Sequence, residues 1–264
     1  MKVRGYKNKT FDTLQTGYYT TASPLQIASH GPHMLQLIRS GDVEQLTEHL
    51  KVGLHPNPCN QFSESLLHNV CRRGDIEMVD VLLAHGASLQ VCDDYGRTPL
   101  HDAFWAPRPC FDVVRRILDK DKGMIFLKDK RGSLPLSYVR KEDWTAWREW
   151  FDGTVDEYFP ESQAQNFRGP ELADTAPNSI SIAEPKTTGV PLDLVKMVAA
   201  GSMTPREAHT VMHGLHQEDA TEYESESEWD ESEYDSDEES VYGDLDQAEM
   251  MEILQFSQMA GPRV

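Results

Sequence analysis

The chain has 264 residues and carries 44 Asp and Glu against 25 Lys and Arg, a formal net charge of -19. The charge is uneven: residues 207–262 contain no Lys or Arg and hold 18 of the acids, leaving a body of 26 acids and 25 bases joined to one acidic arm. No apolar run is long enough to span a bilayer, and Lys2, Arg4, Lys7 and Lys9 are not followed by the apolar core of a secretory signal. The four cysteines, Cys59, Cys71, Cys92 and Cys110, are spaced too widely for a Cys-x-x-Cys zinc or redox motif, so a reduced protein, cytoplasmic and/or nuclear, is expected.

In chain order, residues 1–31 are polar, rich in Tyr and Thr and without apolar period, which predicts a mobile N-terminal arm. A pattern then begins that is clearest at Gly96, Thr98, Pro99, Leu100 and His101. Gly96 suits a turn, Thr98 can cap, Pro99 sits where the first helical turn needs no amide partner, and Leu100 opens a buried helix face. The same elements stand 33 residues earlier at Leu67 and His68, with Gly74 and Asp75 opening a second helix that contains Val79, Leu82 and Leu83. A further 33 back, Gly41 and Asp42 match Gly74 and Asp75. Forward, Leu136 falls 36 after Leu100, so three residues are inserted, and Pro107, Arg108 and Pro109 account for them because the prolines cannot continue a helix.

This spacing and the Thr-Pro-Leu-His run resemble the ankyrin-repeat family, whose repeats are about 33 residues long. The resemblance covers residues 32–152 and implies an all-α solenoid of four repeats, the outer two degenerate because each has one face in water. It also implies that His68 and His101 hydrogen-bond within and between repeat hairpins. Trp144, Trp147 and Phe151 recur at helical spacing and predict an aromatic stripe packed on the preceding repeat.

Beyond the repeats, residues 153–190 contain several prolines and little apolar period, which predicts a linker. Residues 191–217 read as a small helical hairpin: Leu192, Leu194, Val195, Val198 and Ala199 give one face, Gly201 stops it, and Thr204, Pro205 and Glu207 form a capping box. So small a pair cannot fold alone and is expected to dock on the repeats or on a partner. His209, His213 and His216 share a helix face, yet without a second ligand cluster they predict no metal site. Residues 218–244 are acidic, Ser-rich and expected to be disordered, and 245–259 read as an amphipathic helix.

In the resembled family, partners meet the hairpin tips and the concave face of the first helices. Carried onto this sequence, that surface contains Arg39, Phe62, Arg72, Arg73, Tyr95, Arg97, Trp105, Lys130, Arg131, Arg140 and Lys141. The expectation is a basic groove with aromatic anchors that binds an acidic protein segment, with the chain's own acidic tail as competitor. No catalytic constellation or cofactor motif is visible. Nucleic acid is disfavoured by the acidic arm, no membrane role is expected, and the chain should be a monomer. The function so implied is a protein-interaction adaptor; the alternative is a transcription or chromatin co-regulator whose acidic aromatic tail recruits basic or activator-binding partners.

Overall fold

The computed structural model describes residues 4–6, 10–19, 21–170 and 191–212. Ten α-helices stand among them. The first, α1 (Pro24–Ala28), is closed by a capping box between Ser23 and Gln26. Four repeats follow, each with an inner segment and an outer helix. They are α2 (Pro32–Ser40) with α3 (Val43–Val52), α4 (Leu66–Arg73) with α5 (Ile76–Ala84), and α6 (Pro99–Phe104) with α7 (Phe111–Lys120). In the last, a 3-10 turn (Pro135–Tyr138) takes the place of the inner helix before α8 (Trp144–Tyr158).

The same local chemistry ends one helix and starts the next. Gly41 and Gly74 adopt left-handed backbone (φ 69° and 71°), where a side chain is strained, and so stop α2 and α4. Asp42 and Asp75 immediately after them accept the Gln45 and Met78 amides and cap α3 and α5. Inner helices pack on inner helices and outer on outer, and the fully buried Leu66, Leu67, Val70 and Cys71 of α4 lie at the centre of one continuous core. The expected aromatic stripe is core packing: the Trp147 ring centroid lies 4.8 Å from Phe104 and 4.8 Å from Phe111, and Trp150 stacks on Phe111 at 5.7 Å.

The described residues of the expected mobile arm are packed instead. Tyr6 lies against Phe126, Phe159 and Phe167, and its hydroxyl donates to the Pro160 carbonyl. Strand β1 (Phe11–Asp12) pairs in parallel with β2 (Leu127–Lys128), in register Phe11 to Leu127. Further on, the Tyr18 carbonyl accepts the Cys92 amide, and the Gln26 carbonyl accepts the Cys59 amide. The segment is therefore a strap that runs back along the stack from the fourth repeat to the first. Its sequence lacks a period because each anchor meets a different repeat.

The expected linker also starts later than residue 153. Helix α8 continues through Gly153 to Tyr158, and Phe159 and Ala164 beyond it are buried. Tyr6 of the strap supplies the aromatic contacts that hold this stretch, a partner some 150 positions away in sequence. Residues 171–190 lie outside the described residues, as do 213–264, which include the last part of the expected hairpin, the acidic segment and the amphipathic stretch.

The hairpin docks at the far end from α8. Helix α9 (Leu192–Ala200) packs on α1 and α2, and α10 (Pro205–Met212) packs on α3. Val195, Val198, Ala199 and Ala208 are buried there, and Gly201 ends α9 in the same left-handed conformation (φ 81°) that ends α2 and α4. In space the pair precedes the first repeat as another inner and outer helix, although it follows all four repeats in sequence. It gives the apolar side of α2 and α3 the cover that an exposed terminal repeat lacks.

Candidate interaction surface

Three hairpins project from the stack, and each is tied by one polar residue at its base. The Asn60 side chain accepts the amides of Phe62 and Glu64, Asp93 those of Tyr95 and Arg97, and Asp129 those of Arg131 and Ser133. These are Asx turns, in which one side chain replaces the backbone partners of a tight turn. Their positions, 33 and then 36 apart, repeat the register of the helices. That polar period is present in the sequence beside the apolar one.

Adjacent hairpins are bonded to one another. The Asp94 amide donates to the Phe62 carbonyl at 3.1 Å and the Lys130 amide to the Tyr95 carbonyl at 2.7 Å. Beneath them the expected histidine network is in place. Nδ1 of His101 accepts the Thr98 amide at 3.0 Å and lies 2.9 Å from its hydroxyl, while Nε2 faces the Ser133 carbonyl of the next repeat at 3.4 Å. His68 does the same with Ser65 and, at 3.0 Å, with the Arg97 carbonyl. An acceptor at Nδ1 and a carbonyl at Nε2 require the neutral ring with the proton on Nε2. Burial agrees, since it pushes the pKa of His101 down to about 3. These two histidines are structural pins of the tips rather than proton-transfer groups.

The aromatic anchors are divided by this arrangement. Phe62 and Tyr95, one repeat apart on neighbouring tips, are 57% and 53% exposed although both are large and apolar. Lys130 Nζ lies 5.8 Å from the Tyr95 ring centroid and the Arg97 guanidinium 5.6 Å from it. Trp105 is half-buried, with the Arg72 guanidinium 5.2 Å above its ring and the Tyr138 ring at 6.4 Å.

The expected groove of eight open cations is corrected at two of them. Arg72 bonds Glu64 at 2.5 Å and Asp102 at 3.2 Å, and Asp102 is 1% exposed. Desolvation raises the Asp102 pKa and the Arg72 charge opposes it; at Glu64 desolvation also acts upward, but Arg72 and its hydrogen bond outweigh it and the pKa falls. Arg97 is held by Asp93 through Nε at 2.7 Å and Nη2 at 2.6 Å. Both charges are spent inside the protein. The pairs were not legible because the closing acids sit 8 and 30 residues from Arg72, and because Asp93 serves at once as turn former and counter-ion. Arg39, Arg73, Lys130, Arg131, Arg140 and Lys141 are exposed, as expected.

Other chemistry is sparse among the described residues. All four cysteines are free, and burial raises their thiol pKa values, that of Cys59 to about 11 and that of Cys110 to about 12. No group of three His, Cys, Asp or Glu is placed to hold a metal among the described residues; His209 is exposed on α10, and His213 and His216 lie outside them. A cleft of about 570 Å³ beside the end of α7 is lined by Asp119, Asp121, Lys122, Tyr158 and Arg168. Asp119 accepts from the Tyr158 hydroxyl and ties α7 to α8, while Asp121 accepts from the Tyr18 hydroxyl and is part of the strap's anchorage. Among the described residues, no helix is long and apolar enough to cross a membrane.

Comparison with known proteins agrees with this geometry. Residues 22–129 match the family model for ankyrin repeats, three copies. Over 113 residues the chain is 27% identical to cyclin-dependent kinase inhibitor 2A of Monodelphis domestica, covering 42% of this chain and 64% of the relative. Shorter segments of 54 and 37 residues are 43% and 54% identical to the ADP-ribosylation factor GTPase-activating proteins AGD4 and AGD1 of Arabidopsis thaliana. They cover 20% and 14% of this chain but 7% and 4% of those proteins, so the chain spans less than two thirds of each of these relatives.

Proposed function

Residues 22–129 of this chain are an ankyrin-repeat domain, and on that premise we propose that the protein is a non-catalytic adaptor which holds a partner protein against its hairpin tips and inner face. One observation carries the reading. Phe62 and Tyr95 stand exposed at equivalent positions of adjacent tips whose backbone is pinned by Asn60 and Asp93 and by the bonds between hairpins. Large apolar side chains held on rigid turns suit a partner that buries them, because little ordering is then lost on contact. Ankyrin repeats generally mediate protein–protein interaction, and the name of the Monodelphis relative describes an inhibitor of a kinase, which fits action by binding. The neutral, doubly bonded histidines and the buried thiols give no support to catalysis. Competition by the chain's acidic tail and a cytoplasmic or nuclear location belong to the same reading and rest on sequence charge and cysteine spacing.

The test is affinity capture from cells with the full chain and with the double variant Phe62→Ala, Tyr95→Ala. The reading predicts that a protein retained by the wild type is lost from the variant while the melting temperature stays the same. Retention of the same proteins by both would refute it.

A further inference from the structure

Among the cations of the described residues, six form ion pairs, and those that do not include five at or beyond the ends of the inner segments. Arg4, Arg72, Arg97, Arg115, Arg116 and Lys196 form ion pairs. Arg39, Arg73, Arg108, Arg140 and Lys141 form none among the described residues, and all five are exposed. They stand at or just beyond the ends of the inner segments, although in strict register Arg39 matches Arg72 and Arg73 lies one place on. Arg39 is in the last turn of α2, Arg73 in the last turn of α4, Arg108 in the insert after α6, and Arg140 and Lys141 follow the inner 3-10 turn of the fourth repeat.

Contacts join these places one to the next. The Arg73 guanidinium donates to the Arg39 carbonyl at 2.9 Å, and a Cβ on Gly41 would lie 3.8 Å from the Asp75 carboxylate. A Cβ on Gly74 would lie 2.8 Å from that of Cys110, two residues after Arg108. Trp105, at the end of α6, meets Tyr138, two residues before Arg140, at 6.4 Å. The row therefore follows the edge of the concave face opposite the tips, one cationic step per repeat. Packed helices stand about 8–10 Å apart, so α2 and α4, which carry Arg39 and Arg73, step on roughly that spacing.

Most nearby acids are already committed or lie elsewhere, Glu142 and Asp143 beside Lys141 excepted. Asp42 and Asp75 are the caps of α3 and α5. Glu44, Glu77 and Asp112 stand in the first turns of the outer helices, where they complement the positive helix ends. Glu142 and Asp143 follow Lys141 in the chain. Arg39 and Arg73 complement the negative ends of α2 and α4, but Arg108 and Arg140 lie outside helices and have no such use.

Resting on the adaptor reading above, we propose that this row is the part of the surface that selects the partner, and that it takes an extended acidic peptide laid across the repeats. An extended chain rises about 3.3 Å per residue, so an acid at every third residue recurs near 10 Å and meets each cationic step in turn. The inner face above the row contributes no open cation, because Arg72 is spent on Glu64 and Asp102. Charge recognition is thereby separated from the aromatic contact at the tips.

The test uses the full chain and a fluorescein-labelled peptide of about 15 residues with Glu at every third position, read by fluorescence anisotropy at low and near-physiological salt. Replacing Arg39, Arg73, Arg108 and Arg140 together by Gln is expected to weaken binding by about tenfold or more and to flatten its salt dependence. Arg115→Gln with Arg116→Gln, two cations of the outer helix α7 already paired with Glu157 and Asp80, should leave this probe's affinity unchanged. Equal binding by wild type and the arginine variant, or no binding to either at low salt, overturns the row while leaving the tip reading to its own experiment. Equal arginine dependence for a single-stranded oligonucleotide of the same charge overturns the peptide assignment.

Discussion

Gly31→Ala tests the docking of the C-terminal helix pair with a single methyl group. The backbone at Gly31 is extended (φ -149°, ψ 168°), a conformation any residue adopts, and as an N-cap the change from Gly to Ala costs roughly 0.5–1 kcal/mol. The obstacle is α9. A Cβ at Gly31 would lie 2.3 Å from the Ala199 carbonyl oxygen and 2.5 Å from its carbon, so α9 has to retreat by roughly 1 Å to restore van der Waals distance. Overpacking of this kind costs about 1–3 kcal/mol, here directed against backbone that cannot rotate away. What holds α9 and α10 is the burial of Val195, Val198, Ala199 and Ala208, gross about 5–7 kcal/mol before ordering costs, so the net docking energy is of the same order as the clash. Hydrogen exchange on the full chain should find the amides of Val195–Ala200 faster by about tenfold or more, with α4–α7 unchanged. Unchanged exchange in α9 would refute the seating of the pair, and equal loss across α4–α7 would refute its independence from the central repeats.

Two further outcomes follow from the same geometry. Gly153 is an exposed interior residue of α8 whose added Cβ would meet nothing within 4 Å, so Gly153→Ala should stabilise by about 0.5–1 kcal/mol, seen as a higher melting temperature; a decrease would mean that 153 lies outside a helix. Burial lowers the pKa of His55 to about 4 and of His101 to about 3, below the unfolded value near 6.5. Below that value the unfolded chain binds protons the folded chain refuses, so stability is level above about pH 7 and falls as pH drops from about 6.5 towards 4, by about 1.4 kcal/mol per pH unit for each residue. A melting temperature unchanged from pH 7 to pH 5 would contradict the buried, neutral state of both rings.

The repeats were legible because each carries its own apolar stripe, cap and stop within 33 residues, and these local signals agree with one another. The insert was legible for the same reason, since Pro107 and Pro109 mark it and Leu136 measures it. The strap was not, because Tyr6, Phe11 and Tyr18 bury themselves against Phe126, Leu127 and Asp121, and no window of the sequence contains both sides of such a contact. The helix pair at 191–212 was readable as helices in need of a partner, but its place ahead of the first repeat depends on the close approach of Gly31 and Ala199, which no periodicity encodes. At the candidate surface, position gave Phe62, Tyr95, Lys130, Arg39, Arg73, Arg131, Arg140 and Lys141 as exposed groups, and they are exposed. It failed for Arg72 and Arg97 because a charge on a surface position tells nothing of whether an acid 4 or 30 residues away has already taken it.

The adaptor account is tested most directly by placing a photoreactive amino acid at Tyr95 in the full chain, irradiating in cells and comparing adducts with those from the same group at Glu48 on the outer helix α3. Both positions are exposed, so accessibility alone does not separate them. The account predicts a discrete protein adduct from position 95 that is absent from position 48 and disappears when Phe62 is also changed to Ala. Identical adduct patterns from the two positions, or none from position 95, would contradict it.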